Sequence, residues 1–318
     1  MKAVQILGER GHHQIAVTNL MARPVPRGHE VLIRVEAAGI TADEVGWVEV
    51  YKTPTRIPGH DISGVVEQLG PDYTGTLSVG DAVFAMLHAD RGQGQAEFAV
   101  TREDETAAKP ATVSHAEAAA LPIPVVTAWE ALHRHAGLER GARVLVTGAA
   151  GAVGRMLVQL AALLFDAEVV ALASARNHAL LRGLGAAEVV DYSAADWEMH
   201  VGKVDAVFDT VGGAVLAKSW RTVKSGAVIV TVADPPPPWA FGKQVPEELQ
   251  DHPGVRYVYF VLSTDSEALA KVAALIDEGK VKALPVAEFP VDEAVEAWEL
   301  AAKRSRGGKV VIKFGSGA

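Results

Sequence analysis

Two short stretches hold residues whose types and spacing can do chemistry. The first is Ile57-Pro-Gly-His-Asp-Ile-Ser-Gly64, an imidazole beside a carboxylate between two glycines. Such a pair can begin a metal site, or it can hold a tight turn together. A catalytic zinc needs about three N, S or O ligands and one open position. The chain contains no cysteine, so no thiolate completes a ligand set or attacks a substrate, and no disulfide forms. The second stretch is Val144-Leu-Val-Thr-Gly148-Ala-Ala-Gly151-Ala-Val-Gly154. A β-branched apolar run of the buried parallel-strand type leads into glycines that open a helix. Glycines there let the backbone turn tightly and approach a pyrophosphate, and the helix start supplies amide donors and a positive dipole end. The spacing is G-x-x-G-x-x-G rather than the commoner G-x-G-x-x-G, so the flanking strand and helix carry the reading.

The next strand selects the nucleotide. In this arrangement an acid about 20 residues on binds the ribose hydroxyls of NAD. The segment Val169-Val-Ala-Leu-Ala-Ser174-Ala-Arg176-Asn177 has no acid. It offers a hydroxyl and a guanidinium, which suit a 2′-phosphate. The expected cofactor is NADPH. The competing reading makes Arg176 a solvated residue at the start of the next helix.

These residues need elements to position them. Residues 1–110 read as short strands, 2–6, 14–20, 30–38, 62–69, 81–87 and 96–101, between Gly/Pro turns. That spacing predicts a small, partly closed barrel. From Ser114 the texture changes. Helical periodicity at 114–120 and 127–136 precedes the strand at 144–147, and strands 168–172, 188–191, 204–209, 227–232 and 256–262 follow. They alternate with helices 152–165, 176–184 and 213–223, which predicts a doubly wound parallel sheet. Helices 265–278 and 292–303 and strand 309–314 close the chain. Segment 234–254 is the longest loop.

Composition bounds the function. The chain has 318 residues, 49% of them hydrophobic, and a net charge of −9. Its length favours two domains. The acidic balance argues against a nucleic-acid surface. The basic run Lys303-Arg304-Ser305-Arg306 reads as a solvated helix end. The absence of a long apolar run argues against a membrane span, and the expected compartment is the cytosol.

Many segments together carry a family resemblance: Glu36-Ala-Ala-Gly-Ile40, Gly59-His-Asp-Ile-Ser-Gly-Val-Val66, Val79-Gly-Asp-Ala-Val-Phe84, Glu117-Ala-Ala-Ala-Leu-Pro122, Thr127-Ala-Trp129, the glycine turn, Leu184-Gly-Ala-Ala187 ahead of Val190-Asp-Tyr192, Phe208-Asp-Thr-Val-Gly-Gly213 and Gly307-Gly-Lys-Val-Val311. Over nearly its whole length the chain resembles the medium-chain dehydrogenase/reductase superfamily, in the zinc-free quinone oxidoreductase and enone reductase branch. The resemblance implies an α/β fold. A GroES-like β-barrel domain would cover 1–123, a Rossmann NADPH-binding domain 124–264, and a return to the first domain 265–318. Zinc members place a cysteine where Thr41 stands, the His and acid at His60 and Asp61, and a further ligand near Ile123. Only His60 and Asp61 are plausible here, so no metal is expected. His60 is then a hydrogen-bonded turn residue, and Asp61 orients backbone.

The same resemblance implies a site. Ile40 and Thr41 would sit near the nicotinamide, and Thr127 near its carboxamide or ribose. Gly148, Gly151, Ala152, Val153 and Gly154 would cradle the pyrophosphate. Ser174 and Arg176 would take the 2′-phosphate, and Tyr192 would stack by the adenine or else be a strand-end core aromatic. Thr210 and Val211 would lie under the ribose, with Phe260, Val261, Leu262 and Lys309 at the nicotinamide end. Many relatives carry Asn at the position of Thr41 and Asp at that of Glu44. Tyr51 and His88 are candidate proton donors, and solvent is the alternative. Trp47, Met86, Trp239 and Phe241 are candidates for an apolar acceptor pocket.

Without a metal no Lewis acid lowers an alcohol's pKa. Hydride transfer to an activated acceptor needs less help. The expectation is therefore an NADPH-dependent reductase of a quinone or α,β-unsaturated carbonyl, a small-molecule substrate. A specialised biosynthetic enoyl reductase, a lyase-like relative, and an NADPH-binding protein with little catalysis stay open. Strand 256–262 is apolar and reads as a sheet edge, which favours a homodimer.

Overall fold

The computed structural model describes residues 1–303 and 307–315; Arg304, Ser305 and Arg306 of the basic run lie outside them. Contacts divide the chain into two compact units. One is Met1–Val126 with the segment from Ser263 onward, and the other is Thr127–Leu262.

Strands β1 (Ala3–Glu9), β2 (His12–Thr18) and β3 (Val31–Gly39) open the first unit, followed by the short helix α1 (Val48–Lys52). Next come β4 (Asp61–Leu69), β5 (Ala82–Met86), β6 (Phe98–Thr101), β7 (Thr106–Ala108), α2 (His115–Ala118) and α3 (Pro122–Glu130). Pro122 takes the first helical position of α3, where its missing N–H costs nothing. The helix passes into a π-helical turn over Ala131–Ala136 that ends at left-handed Gly137.

The second unit alternates strand and helix. Its elements are β8 (Arg143–Val146), α4 (Ala152–Phe165), β9 (Glu168–Leu172), α5 (His178–Gly183), β10 (Glu188–Val190), α6 (Trp197–Val201), β11 (Val204–Asp209), α7 (Gly213–Ser219), β12 (Val223–Thr231) and β13 (Arg256–Tyr259). The chain then returns to the first unit with α8 (Ser266–Asp277), β14 (Val286–Pro290), α9 (Ala294–Ala302) and β15 (Lys309–Lys313).

In the second unit all strand pairs are parallel, in the order β10-β9-β8-β11-β12-β13. Leu145, Val170, Val207 and Ile229 from neighbouring strands meet Trp197, Leu216 and Trp220 in one buried cluster. The order reverses direction between β8 and β11, and open α/β sheets bind ligands outside the carboxyl ends of strands at such a point.

In the first unit the main sheet runs β14-β15-β3-β4-β5-β7, with β6 also on β3. The alternating inward residues of β3 to β6 form one core, with Val31, Ile33, Ile62, Val83 and Ala99 at its centre. A second cluster sets Val310 and Ile312 of β15 against Ala294 and Trp298 of α9. β15, late in sequence, therefore lies beside β3, and β3 beside β4.

Several expected bounds shift: the helix expected at 127–136 begins at Pro122 and turns π-helical after Glu130, and three further shifts have a visible local reason. Helix 213–223 ends at Ser219, followed by a 3-10 turn over Trp220–Thr222. There Ser219 Oγ bonds back to the Val215 carbonyl and Thr222 Oγ1 to that of Ser219, a pattern that competes with helix continuation. β12 begins four residues early, because the register against β11 jumps between Val223 and Val228 and the intervening polar residues bulge. β13 stops at Tyr259, since its last partner, Thr231, is the end of β12; Phe260, Val261 and Leu262 lie beyond the ladder.

Candidate functional site

The glycine turn of the second unit is locked to the loop after β11. Thr147 follows β8, and its N–H donates to the Phe208 carbonyl at 3.0 Å. Its hydroxyl donates to Asp209 Oδ1 at 2.6 Å, while Thr231 Oγ1 donates to Asp209 Oδ2 at 2.7 Å. The Gly212 N–H also donates to Oδ2, at 3.0 Å. In return, the Thr210 N–H donates to Thr147 Oγ1 at 3.1 Å, and Thr210 Oγ1 to the Thr147 carbonyl at 3.0 Å. Asp209, Thr147 and Thr231 are all buried. The carboxylate's charge is met by converging donors, as burial requires. This hub fixes Gly148 against Thr210 and Val211 at the switch point. The sequence showed the Asp209 motif but not its role, which depends on β8, β11 and β12 being neighbours.

Close approach explains two of the glycines. A Cβ on Gly148 would sit 2.3 Å from Thr210 Oγ1, and one on Gly154 would sit 2.3 Å from the Gly148 carbonyl oxygen. The helix therefore closes onto the turn only with glycine at both positions. Gly151 caps α4 with no side-chain hydrogen bond. The first-turn amides, from Ala152, Val153 and Gly154, thus keep their donors for a ligand.

Ser174 follows β9, and its Oγ accepts from Asn177 Nδ2 at 3.0 Å. Arg176, two residues on, is exposed. No hydrogen bond or ion pair engages its guanidinium among the described residues. Tyr192 is 54% exposed after β10, so it is not a core aromatic. Thr127 is buried within α3. Phe260 is buried with its ring centroid 4.5 Å from that of His135, while Val261 is exposed. Trp239 packs in the core edge-on to Tyr257, and exposed Phe241 packs edge-on to Tyr259. These fourteen cofactor-site candidates, Thr127 to Leu262, share one unit. Ile40, Thr41, Tyr51, His88 and Lys309 belong to the other.

In the first unit, two pairs of opposite charge lie buried around Gly59–Asp61. His60 Nδ1 stands 2.9 Å from Glu44 Oε1, an ion-pair distance at an angle poor for a hydrogen bond. His60 Nε2 faces the Ala89 carbonyl at 3.3 Å, and Glu44 Oε1 also accepts the Gly59 N–H at 2.6 Å. The Trp47 ring tilts over His60 with centroids 5.1 Å apart. Burial disfavours an imidazolium, but Glu44, the Ala89 carbonyl and Asp61 outweigh it, and the His60 pKa is raised. The second pair is Lys309 Nζ and Asp61 Oδ2, 2.5 Å apart. Asp61 Oδ1 accepts the Ile123 N–H at 2.7 Å, so Asp61 orients backbone and also pairs a lysine 248 positions away. Lys309 Nζ reaches Thr41 Oγ1 at 3.3 Å.

These commitments bear on a metal. His60 is engaged by Glu44 and Ala89, Asp61 is held by Lys309, and the side chain of Ile123 has no donor atom. Among the described residues no group of three or more His, Asp or Glu side chains could hold a metal ion.

The proton-donor candidates differ. Tyr51 lies on α1, and its hydroxyl donates to the Val45 carbonyl at 2.8 Å. Burial raises its pKa against the opposing charges of Arg56 and Arg10, which weakens it as an acid. The His88 side chain is 50% exposed beside Asp90. Met86 is buried in β5.

A GroES-like unit carrying a Rossmann unit within its chain is the architecture of the medium-chain dehydrogenases and reductases. Residues 27–122 match the alcohol dehydrogenase GroES-like domain, and residues 184–312 match the zinc-binding dehydrogenase family. The 2-methylene-furan-3-one reductase of Solanum lycopersicum is 33% identical, over 92% of this chain and 74% of that protein. The chloroplastic NADPH-dependent alkenal/one oxidoreductase of Arabidopsis thaliana is 31% identical, over 91% of this chain and 73% of its own. The quinone oxidoreductase structure from Coxiella burnetii superposes with a TM-score of 0.84 at 29% identity, covering 99% of both chains. The chain belongs to the medium-chain dehydrogenase/reductase superfamily, in its quinone oxidoreductase and enone reductase branch.

Proposed function

We propose that this protein is an NADPH-dependent, metal-independent reductase of quinones or α,β-unsaturated carbonyl compounds. The observation that carries the reading is the end of β9: no carboxylate stands there, and Ser174 sits beside an exposed, unengaged Arg176. A guanidinium in that place matches a 2′-phosphate in charge and geometry. The uncapped start of α4 fits the pyrophosphate. The names of the similar reductases support the same acceptor classes.

A bound reduced nicotinamide supplies the hydride. The chain's own residues supply position and polarity. Thr41, two residues past β3, offers a hydroxyl to the acceptor's oxygen, where negative charge develops. Such a donor acts mainly on the transition state. Tyr51 holds its own proton on Val45, so water protonates the enolate. Metal independence is supported by the engagement of His60 and Asp61. A homodimer is supported by β13, a sheet-edge strand with half-buried Tyr257 and Tyr259.

The test follows NADPH oxidation by its near-ultraviolet absorbance, with a quinone and a conjugated enone side by side and with a chelator present. Turnover of either that survives chelation supports the reading. NADPH binding without turnover of both overturns it.

A further inference from the structure

Lys309, Gly39 and Asp61 stand on three adjacent strands, with the side chain of Lys309 reaching across Gly39 to Asp61. β3 pairs β15 with Gly39 opposite Val311, and it pairs β4 with Gly39 opposite Asp61. The Ile40 N–H bonds to the Val310 carbonyl at 2.9 Å, which carries the β15 pairing past Gly39 and sets Lys309 opposite Thr41. Gly39 has no side chain, and a Cβ there would stand 3.3 Å from Lys309 Cε and 3.1 Å from Asp61 Cβ. The lysine crosses the vacant position to reach the carboxylate, and both groups are buried.

The ammonium has three donors and no acceptor. One donor is spent on Asp61 Oδ2, and another reaches Thr41 Oγ1 at 3.3 Å. Thr41 stands at the start of a 3-10 turn, yet its hydroxyl makes no capping bond. With Lys309 as the donor, Thr41 Oγ1 is the acceptor. Its own proton has no recipient among the described residues, and Thr41 is only half-buried.

We infer that Lys309, anchored by Asp61, is a positioning residue that fixes the Thr41 hydroxyl as a hydrogen-bond donor to the oxygen of the bound acceptor. This rests on the proposed reductase function. When hydride from the reduced nicotinamide adds to the β-carbon of an enone, a C–H bond forms there. The alkene pair shifts toward the carbonyl, and the carbonyl π pair moves onto oxygen. Thr41 donates to that oxygen as its charge grows, and Lys309 polarises the hydroxyl from behind. The hydride's C–H bond on the nicotinamide breaks and leaves that ring oxidised; water then gives one proton to the α-carbon, the oxygen's pair re-forms the C=O bond, and hydroxide is released to solvent.

The experiment has two arms. In the first, kcat and KM for NADPH and for an enone are measured for wild type, Thr41→Val, Thr41→Ser, Lys309→Met and the double variant T41V/K309M. Thr41→Val is expected to lower kcat about 10- to 100-fold, the worth of one hydrogen bond to a charged oxygen, with KM for NADPH unchanged and Thr41→Ser restoring most of the rate. The double variant should be no slower than the slower single variant, since both remove one device. Because Lys309→Met leaves Asp61 unpaired, D61N/K309Q provides a neutral pair that still accepts the Ile123 N–H, and it should show the same kcat loss. In the second arm, 4-nitrophenolate binding to the cofactor-free protein is followed by its visible absorbance. Wild type and Thr41→Ser should bind the oxyanion, and Thr41→Val should bind it at least about threefold more weakly. Undiminished kcat in Thr41→Val, additive losses in T41V/K309M, or phenolate binding that is absent from wild type or indifferent to Thr41, each overturns the inference. A wild type with no turnover of quinone or enone overturns the reductase reading itself.

Discussion

Lys309 Nζ meets Asp61 Oδ2 at 2.5 Å across the bare backbone of Gly39. The pair exists because β15 and β4 flank β3 and because the strand between them carries no side chain at that point. Gly39→Ala would push a methyl to 2.5 Å from the Ala119 carbonyl oxygen and against both partners. The expected result is a loss of about 1–3 kcal/mol of stability from overpacking. Because the lysine is displaced, kcat should fall as well. Denaturant melts and steady-state kinetics on Gly39→Ala check both; an unchanged melt and rate would show that the crossing tolerates a side chain.

Asp209 gathers Thr147, Thr231 and Gly212 in one buried cluster. Asp209→Ala would strand two buried hydroxyls and at least one amide. At about 1–3 kcal/mol for an unsatisfied buried group, the sum should exceed about 3 kcal/mol. The loop Thr210–Gly212 should loosen from Gly148, so NADPH affinity should fall even at temperatures where the variant is folded. Chemical denaturation and nucleotide fluorescence titration measure the two effects. A variant that loses stability but keeps full affinity would show that the hub serves folding alone.

The sequence made some of this legible. Buried parallel strands announce themselves as continuous apolar runs: β9 and β11 match the expected 168–172 and 204–209, and β8 lies one residue before the expected 144–147. The glycine turn was visible for the same local reason. β7 has three residues, and β14 reads Val-Ala-Glu-Phe-Pro; both are too short or too mixed to show a period. The start of β12 was hidden by Lys224-Ser-Gly226, which reads as a turn and forms a bulge. The two polar hubs were illegible for a different reason. Asp61 and Lys309 are far apart in sequence, as are Thr147 and Thr231. Strand order brings each pair together, and no local pattern encodes that order. Tyr51 shows the converse: its type suits acid chemistry, but only the structure shows its hydroxyl donating to the Val45 carbonyl.

Cofactor preference should rest on Arg176. An exposed guanidinium with no partner among the described residues can be removed at little cost to the fold. Charge-assisted hydrogen bonds contribute about 1.5–3 kcal/mol each, so Arg176→Ala should weaken NADPH binding about 10- to 100-fold. NADH binding should change little. Parallel KM measurements with both nucleotides give the ratio. Equal losses for both would mean that Arg176 does not meet a 2′-phosphate.

Two histidines, one buried and one half-buried, should bend the pH dependence of stability in opposite directions. His60 is deeply buried, yet Glu44, the Ala89 carbonyl and Asp61 raise its pKa. Its charged form is favoured in the fold, so its contribution is complete below the unfolded value of about 6.5 and is lost as pH rises through the raised folded value. His115 is the reverse. Ser63 Oγ donates to the Val83 carbonyl at 2.8 Å, so His115 Nδ1, 2.7 Å from that oxygen, must donate to it. Burial lowers the His115 pKa, Lys109 and Arg34 add to the effect, and Glu36 opposes it. Its neutral form is favoured, so its contribution is complete above about pH 6.5 and is lost as pH falls toward the lowered value. Unfolding free energies of wild type, His60→Gln and His115→Gln, measured from roughly pH 5.5 to 8.5, separate the two. The wild-type advantage over His60→Gln should shrink toward alkaline pH, and that over His115→Gln should shrink toward acid. Two difference curves sloping the same way would contradict the assignment of Glu44 as the partner of a charged His60.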